Sequence, residues 1–576
     1  MALSTYVVEL LGTGSSWLDI SAYVRSVTTN RGRSRELDKF EAGQFSVSLL
    51  NHNRYFDPTY TDSTTRTNLH PNPSAEVDIT GYAASNMTIS RSTLYSSSNV
   101  LGTCTSTGTN RYIDYSSRIN VTQGNTYTFS TYIYFPAGNA SDATVQLQLH
   151  PHNGTAYGGP TTSATQVITR GTWTRMSVTA TATTVSGLPT TSMLPRVLIT
   201  SSFTSGNTMH IDDSLFEQSS TLDSYFDGST SDTNYQFYSW NGTAGLSTST
   251  LLQYNTPFFG CIVPRRRMRI KANSIVVFNG YVADWNLSYD VSGESIATVT
   301  GFDAFIYLTN QILPTLSNAA GLSGARIYAL ATYAGIQWPG GSLDINDGLV
   351  TVQADTIAAN TNSLEYFQLL ERTERGFLFM SADNALTYYN YASTGTPSPS
   401  VSLIEFSDAG ATGYQNLDVV YGSELLYNTV VLSRVSGGTV TVQDTASITV
   451  YGESVYSDDG LLLNSDTDLT NQALMIAGKY SSPEYRFDSV TVMMNPLGSI
   501  TQGYLLGIEL GDFVKVTFTP NQVGSAISRY VRVIGIEHQM EIDQHNITYR
   551  FADVVGDTLV LDNDALGQLD YNVLGF

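Results

Sequence analysis

Alternating apolar and polar residues constrain the fold of this chain more strongly than any other feature. In the stretch GQFSVSLLNHNRYFDP, Phe45, Val47 and Leu49 are each separated by one polar residue. A period of two predicts a β-strand with one face against a core. Similar stretches recur along much of the chain, separated by clusters of Gly, Asn, Ser and Asp that form turns. The sequence therefore predicts a mainly β fold with a small α/β region.

Length and composition set the scale of that fold. The 576 residues leave room for roughly three to five domains. No apolar run reaches the ~18 residues of a membrane span, so no stable membrane insertion is expected. The opening MALSTYVVELLGTGSSWLDIS lacks the basic flank of a signal peptide. Cys104 and Cys261 fall in different predicted segments, and we expect two buried thiols rather than a disulfide framework.

A change of composition marks an insertion. Residues 67–255 contain no lysine and are rich in Ser and Thr. Their alternating stretches, separated by turns, are typical of an antiparallel jelly-roll sandwich. The strands of 256–310, after this segment, resume the character of those of 1–66, before it. The chain thus reads as one β-rich segment interrupted by a second domain.

The rest of the chain alternates between mixed and β character. Apolar residues recur at helical spacing in 324–335 and 362–375, where Leu364, Phe367 and Leu370 form a stripe, with Ile357 as a further candidate. One more helical stretch is expected at 468–479. The remaining predicted domains are a small α/β domain at 311–415, a β-rich domain at 416–555 and a C-terminal extension at 556–576.

The charge distribution limits the partners. The net charge is −22, which disfavours tight binding of nucleic acid because an acidic surface repels phosphate. Such a surface suits a channel through which DNA passes without sticking, although solubility alone would also explain it. The one basic run, PRRRMRIK, is expected to meet acidic residues across a subunit interface rather than DNA. Its candidate interface residues are Arg265, Arg266, Arg267 and Arg269.

Several stretches, in this order, resemble the baseplate-hub family, the tail-hub proteins of long-tailed bacteriophages. GQFSVSLLNHNRYFDP and RMRIKANSIVVFNGYVADWNLSYD resemble the two halves of the first hub barrel. LEYFQLLERTERGFLFMSADNALTYYNY resembles the small helix-plus-hairpin domain of the family. The most specific resemblance is LGDFVKVTFTP followed by RYVRVIGIEHQMEIDQHNITYRFADV, which is similar to the second hub barrel.

The resemblance implies a structural virion protein at the tail tip. It implies a homotrimer whose two similar barrels per subunit, 1–66 with 256–310 and 416–555, form a pseudo-sixfold ring beneath the tail tube. The implied partners are the distal tail ring, the tape measure and other tip proteins, with DNA passing in transit only during ejection. Arginine used in place of lysine indicates a GC-rich coding sequence, and we expect a phage of an actinobacterial host.

The inserted segment resembles the carbohydrate-binding modules appended to secreted glycosidases. NLHPNPSAE, GTWTRMSVTATA and HIDDSLFE resemble the opening, a middle strand and the closing strand of such modules. The resemblance implies a structural calcium ion held by Glu76 and Asp213, with Asp212 as the alternative ligand. No other cofactor is expected.

The polar faces of the predicted strands offer a place for a glycan. Aromatic rings stack on sugar C–H groups, and amides hydrogen-bond to sugar hydroxyls. Trp173 is expected in the core rather than at this face. The candidate glycan-binding residues are Tyr132, Tyr134, Gln146, Gln148, His150 and Arg196. An ordinary solvated face of a sandwich remains the alternative.

The sequence favours assembly over catalysis. No nucleophile elbow, zinc-protease motif or P-loop is present, and the protein is not expected to be an enzyme. One alternative is a secreted carbohydrate-active enzyme, which would need a paired-carboxylate cleft on a large catalytic domain. The other is a receptor-binding side fibre, which would need a long repetitive shaft.

Overall fold

The computed structural model describes residues 5–291, 293–336, 342–390, 404–410 and 412–553. The chain divides into two compact units. The split unit is built from 1–58 and 260–576, and the inserted unit is 59–259. The predicted extension at 556–576 lies outside the described residues. Among the described helices, none has the length and apolar character needed to cross a membrane.

Before the insertion the split unit forms four strands and one short 3-10 helix, Ser21–Tyr23. The strands are β1 (Tyr6–Leu11), β2 (Trp17–Asp19), β3 (Val24–Gly32) and β4 (Gln44–Leu50). In β4, Phe45, Val47 and Leu49 are at most 3% exposed, which confirms the period of two.

The inserted unit is an antiparallel sandwich of two main sheets with a three-stranded clasp, β18–β19–β5. Its strands are β5 (Ser63–Asn68), β6 (Tyr82–Ser85), β7 (Met87–Ser92), β8 (Asn99–Cys104), β9 (Arg111–Tyr115), β10 (Ile119–Asn120), β11 (Thr126–Tyr134), β12 (Ala143–His152), β13 (Thr161–Thr162), β14 (Gln166–Ile168), β15 (Thr174–Thr181), β16 (Ser192–Ile199), β17 (Thr208–Glu217), β18 (Gln236–Trp240) and β19 (Ser249–Tyr254). The seven-stranded sheet follows the order β13–β12–β16–β9–β6, with β10 and β14 beside it, and the five-stranded sheet follows β15–β11–β17–β8–β7. Their facing sides form one apolar core.

After the insertion three strands form a meander: β20 (Arg267–Ala272), β21 (Ile275–Tyr289) and β22 (Ser295–Phe302). β20 pairs with β1, and β22 pairs with β4, all antiparallel. The chain segments before and after the insertion therefore belong to the same sheet.

The small α/β region follows. Its elements are α1 (Phe305–Thr309), β23 (Ile312–Leu313), β24 (Leu316–Asn318), β25 (Gly321–Leu322), α2 (Ser323–Ala331), β26 (Leu343–Ile345), β27 (Thr351–Val352), β28 (Asp355–Ile357), β29 (Thr361–Asn362), α3 (Ser363–Glu374), β30 (Phe377–Met380) and β31 (Leu386–Tyr389). In α3 the predicted stripe of Leu364, Phe367 and Leu370 is buried, whereas Ile357 belongs to β28. The side chain of Asn362 caps this helix by accepting a hydrogen bond from the Glu365 N–H at 3.2 Å.

The last part of the split unit contains nine strands, three helices and a short 3-10 helix, Pro520–Gln522. They are β32 (Glu405–Ser407), β33 (Asn416–Tyr421), β34 (Thr429–Arg434), β35 (Thr439–Gln443), α4 (Thr445–Tyr451), β36 (Val455–Leu461), α5 (Asp466–Tyr480), β37 (Tyr485–Met493), α6 (Ser499–Leu506), β38 (Phe513–Phe518), β39 (Ile527–Glu541) and β40 (His545–Asp553). β34, β35 and β36 form a separate sheet, and α5 packs on it over a small core of its own.

One sheet runs through the split unit. Its order is β2–β1–β20–β21–β22–β4–β3–β39–β40–β37–β33, with β38 beside β39 and β32 beside β38. The strands of the two predicted barrels are therefore joined through the antiparallel pair β3–β39. The predicted mainly β class with a small α/β region is confirmed.

Candidate functional site

A cleft lies on the outer face of the seven-stranded sheet of the inserted unit. Because Val145, Leu147 and Leu149 of β12 are fully buried in the core, the residues between them point to the opposite face. The cleft has a volume of about 420 Å³. It is lined by Ala83, Ala84, Tyr112, Asp114, Ser116, His150, Tyr157, Leu194 and Arg196.

Arg196 is the central charged group of this cleft. Its Nη2 donates to Asp114 Oδ2 at 3.0 Å, and its guanidinium lies 3.7 Å from the centre of the Tyr112 ring. Burial raises the pKa of Asp114 in spite of the hydrogen bond from Arg196. The Nε of Arg196 is buried and makes no hydrogen bond with the described residues. The cleft therefore contains an oriented donor, a carboxylate acceptor and a ring held in place by stacking.

Polar side chains form a ladder along β12 beside the cleft. Gln146 Nε2 donates to the Ser163 carbonyl at 3.2 Å, and Gln148 Nε2 donates to Gln146 Oε1 at 3.2 Å. A ring nitrogen of His150 contacts Gln148 Oε1 at 3.0 Å. Burial, followed by the charge of Arg196, lowers the pKa of His150 to about 4. His150 is therefore neutral at physiological pH and acts as a hydrogen-bonding group.

Tyr157 supplies an accessible aromatic ring to the cleft. Its side chain is 51% exposed, and its ring centre lies 4.6 Å from that of His152 and 6.5 Å from that of His150. His152 is held by Arg118, with Nη1 and Nε2 2.9 Å apart. An exposed ring beside amide, guanidinium and carboxylate groups has the chemistry that binds a sugar.

The structure does not bring all six predicted glycan residues together. Gln146, Gln148, His150 and Arg196 lie on β12 and β16 at the cleft, whereas Tyr132 and Tyr134 lie on β11 of the other sheet. The guanidinium of Arg175 lies 5.7 Å from the centre of the Tyr132 ring.

Tyr134 belongs to an aromatic cluster on that second sheet. Its ring centre lies 4.5 Å from that of Tyr95 and 5.2 Å from that of Trp173. Trp173 is half-buried in this cluster, so the expectation that it lies in the core is wrong.

Sequence reasoning missed seven of the nine residues that line the cleft, and the most informative of these are Tyr112, Asp114 and Tyr157. A signal for two of them exists in RYIDY of β9. Ile113 and Tyr115 are buried in the core, so alternation places Tyr112 and Asp114 on the outer face. Tyr157 lies in the turn region after β12, and no periodic pattern marks it.

The predicted calcium ligands lie in an acidic cluster. The Ser74 hydroxyl donates to Asp213 Oδ1 at 3.1 Å, and the Asp213 N–H donates to Asp212 Oδ1 at 2.8 Å. Burial raises the pKa of Glu76, and the charges of Asp227 and Asp213 raise it further. Asp227, which the sequence did not single out, also accepts a hydrogen bond from the Tyr225 hydroxyl at 2.8 Å.

The carboxylate oxygens of this cluster have the chemistry that calcium prefers, since carboxylates are among its usual ligands. However, no three His, Cys, Asp or Glu side chains within the described ranges are grouped closely enough to hold a metal ion. The structural calcium ion therefore stays a prediction.

The arginines of the basic run have partners within their own unit. Arg269 Nε lies 2.7 Å from Glu9 Oε2, and Lys271 shares the same carboxylate. Arg266 donates to the carbonyls of Gly12 and Gly260.

The other two arginines of the run contact rings and an amide. Arg267 donates to Asn279 Oδ1 at 3.2 Å, and the exposed Arg265 lies 5.3 Å from the centre of the Tyr307 ring. A role of these residues across a subunit interface stays a prediction.

Comparison with known proteins bears on the inserted unit first. Residues 68–192 match a protein family described as "Carbohydrate binding domain". This segment includes most of the cleft, with Arg196 four residues beyond its end. The match covers only part of the inserted unit. The search of curated proteins found no match.

Among solved structures, the chain is similar to two tail proteins. One is the 43 kDa tail protein of prophage MuSo2 from Shewanella oneidensis, at 14% identity and a TM-score of 0.37, over 51% of this chain and 83% of that one. The other is a tail protein from Neisseria meningitidis, at 13% identity and a TM-score of 0.37, over 50% and 83%. A xylan-binding domain from Paenibacillus barcinonensis is similar over 28% of this chain and 97% of its own, at 13% identity and a TM-score of 0.21. TM-scores this low carry no functional argument by themselves.

Proposed function

We propose that this protein is a structural hub at the tail tip of a long-tailed bacteriophage and that its inserted unit binds a glycan of the host cell surface. The ordered resemblance to hub proteins supports the first part, because the stretches that carry it, apart from LEYFQLLERTERGFLFMSADNALTYYNY, fall on strands of the 13-stranded sheet of the split unit. The hub is a homotrimeric ring that joins the tail tube to the tip and lets DNA pass. Its work is assembly and gating rather than turnover.

The cleft on the seven-stranded sheet is the observation that carries the glycan-binding role. Tyr157 offers an exposed ring for stacking, and Arg196 with Asp114 offers a fixed donor and acceptor for hydroxyls. The volume of about 420 Å³ lies within the range of small-ligand sites. The match of 68–192 to the carbohydrate-binding domain family supports the same role.

A pair of tyrosines provides a matched test of the cleft. Tyr157 and Tyr95 are 51% and 52% exposed but lie in different parts of the sandwich. Tyr157→Ala is expected to weaken binding of the full chain to glycans or isolated cell walls by roughly two- to tenfold, because ring stacking is worth about 0.5–1.5 kcal/mol. Tyr95→Ala should leave binding unchanged.

Two further variants separate the cleft from the five-stranded sheet. Arg196→Gln, which removes the charged donor, should weaken binding as Tyr157→Ala does, while Tyr132→Ala should not. Equal binding by the wild type and both cleft variants, with unchanged thermal stability, would refute the cleft as the glycan site. Loss of binding by Tyr132→Ala alone would move the site to the five-stranded sheet.

A further inference from the structure

Five strands of the split unit occur twice with the same neighbours. The first set is β3–β4–β22–β21–β20, and the second set is β33–β37–β40–β39–β38. In both sets the first strand pairs with the second, and the second pairs with the last strand of a three-stranded meander. The middle strands of the two meanders, β21 and β39, have 15 residues each. The split unit therefore contains an internal structural repeat.

The two sets also agree in the bulge of the middle strand of the meander. β21 has a bulge between Val282 and Asp284, and β39 has a bulge between Val533 and Gly535. The carbonyl of Val282 accepts a hydrogen bond from the N–H of Arg265 at 2.7 Å, and that of Val533 from the N–H of Gly511 at 2.8 Å. Arg265 and Gly511 both have positive φ, of 64° and 92°. This agreement fixes which residues correspond.

In the second set β39 is paired along its whole edge, whereas the same edge of β21 in the first set is paired only in part. The first half of β39 pairs with β38, and its second half pairs on the same side with β3, from Gly535↔Gly32 to Glu541↔Ser26. The side chains that meet on the inner face of this contact are all less than 5% exposed. They are Val27 with Met540, Thr29 with His538 and Arg31 with Ile536.

The counterparts of these residues lie on unpaired edges of the described structure. β20 covers only the first half of β21, so 284–289 have no strand on that side within the described ranges. β33 pairs with β37, and no described strand lies on its other edge. Tyr289 and Tyr421 are 52% and 67% exposed. The other counterparts are half-buried: Trp285, Leu287, Leu417 and Val419.

From this geometry we infer that β33 of one copy pairs antiparallel with the second half of β21 of another copy, in the register of β3 with β39. The inference rests on the ring that we propose above, and it names the strands that join neighbouring copies. Transferring the register places Leu417 opposite Tyr289, Val419 opposite Leu287 and Tyr421 opposite Trp285. Every cross-strand pair on that face is apolar or aromatic, which is the pairing that stabilises a sheet.

The character of the edges supports the pairing. An exposed edge strand is a template for another chain, and proteins usually shorten or charge such edges. β2 and β32, which end the sheet elsewhere, have three residues each. β33 and the open half of β21 carry six residues each, with apolar residues at alternate positions. Because the two edges differ, the contact is head-to-tail, and repeated copies close into a ring when the rotation allows.

Cysteine pairs on the outer face test the contact directly. Asp418 corresponds to Thr28 and Ser288 to Gln539, and all four side chains are exposed. Oxidised full-length Asp418→Cys/Ser288→Cys is expected to form disulfides between copies, giving a ladder that ends at the ring. Thr28→Cys/Gln539→Cys is the matched control and should form its disulfide within one chain, since this pair lies in the existing β3–β39 contact.

Single variants establish that the contact is head-to-tail. Asp418→Cys and Ser288→Cys should form a cross-linked dimer only when the two proteins are mixed. The native thiols do not interfere, because Cys104 and Cys261 are buried and unbridged. Tyr421→Lys should reduce the assembled mass to that of one copy, whereas Tyr504→Lys, at a 63% exposed tyrosine of α6, should not.

The outcomes separate this inference from the proposed function. Rings with the predicted cross-link support both. Rings without the cross-link, while the control pair closes, overturn the β33–β21 contact and leave the ring standing. Cross-linked open chains support the contact and overturn the ring. A protein that stays monomeric at high concentration overturns both.

Discussion

Replacing Asp212 with Asn should stabilise the protein at alkaline pH and leave its stability nearly unchanged at acidic pH. The Asp212 residue is 8% exposed, and burial, followed by the charge of Asp213, raises the pKa of its carboxyl to about 7. Asn keeps an oxygen that can accept the hydrogen bond from the Asp213 N–H. The substitution therefore removes a penalised charge and preserves the local structure.

The magnitude follows from linkage between protonation and folding. The pKa of this carboxyl is ~3.9 in the unfolded chain and about 7 in the folded protein, a rise of about 3. A raised folded pKa favours the folded state below the unfolded value, and this contribution is lost as the pH rises through the folded value. Above pH ~7 the buried charge therefore destabilises the wild type by up to about 4 kcal/mol relative to the variant.

Urea unfolding followed by tryptophan fluorescence across pH 4 to 9 measures this difference. The stability gain of Asp212→Asn should be close to zero at pH 4, rise through pH 5 to 7 and then level off. Asp232→Asn, at an exposed carboxylate of the same unit, is the control and should show no such rise. A gain that is independent of pH would refute the reasoning.

The same variant also tests the predicted calcium ion. If Asp212 is a calcium ligand, millimolar calcium should stabilise the wild type at pH 8 but not the variant. The variant should then be less stable than the wild type at that pH. Equal stabilisation of both proteins would assign any bound calcium to other oxygens, such as those of Asp213 and Glu76. No response of either protein would contradict the predicted calcium ion.

Two further predictions concern the cores. Phe367→Ala, at a fully buried position of α3, should cost about 3–5 kcal/mol in urea unfolding, and a loss below about 1 kcal/mol would contradict the assigned packing of that helix. Cys104 and Cys261 are both buried, so neither should react with a maleimide in the native protein, while both should react in denaturant. Rapid native labelling of either thiol would show that its surroundings open more readily than this packing allows.

Local patterns predicted most of the elements but not all. The strand β4 and the helix α3 were predicted correctly, because each carries a clean period in its apolar residues. Helices α4 and α6 were missed. The sequence TASITVY of α4 is rich in β-branched residues, which favour strands, yet Asp444 begins a helix by accepting from the Ser447 N–H.

The candidate site was predicted in part for a different reason. Alternation tells which residues leave a core, but it does not tell which strands share a sheet. Tyr132 and Gln146 both leave the core of the sandwich, yet they do so on opposite sheets. That assignment depends on the pairing of β12 with β16 and of β11 with β17, contacts between residues 40 to 89 positions apart that no local signal contains.

The antiparallel pair β5–β19 affects how the sheet of the split unit accommodates the inserted unit. Six residue pairs, from Ser63↔Tyr254 to Asn68↔Ser249, join the segment that enters the inserted unit to the segment that leaves it. Once this pair has formed, β4 and β20 are joined by an effective loop of about 24 residues instead of about 216, which lowers the entropic cost of closing it by about 2 kcal/mol. The length of the inserted unit therefore has little effect on the entropic cost of bringing β4 and β20 together. A lineage could exchange one inserted unit for another at this point without changing the fold of the split unit.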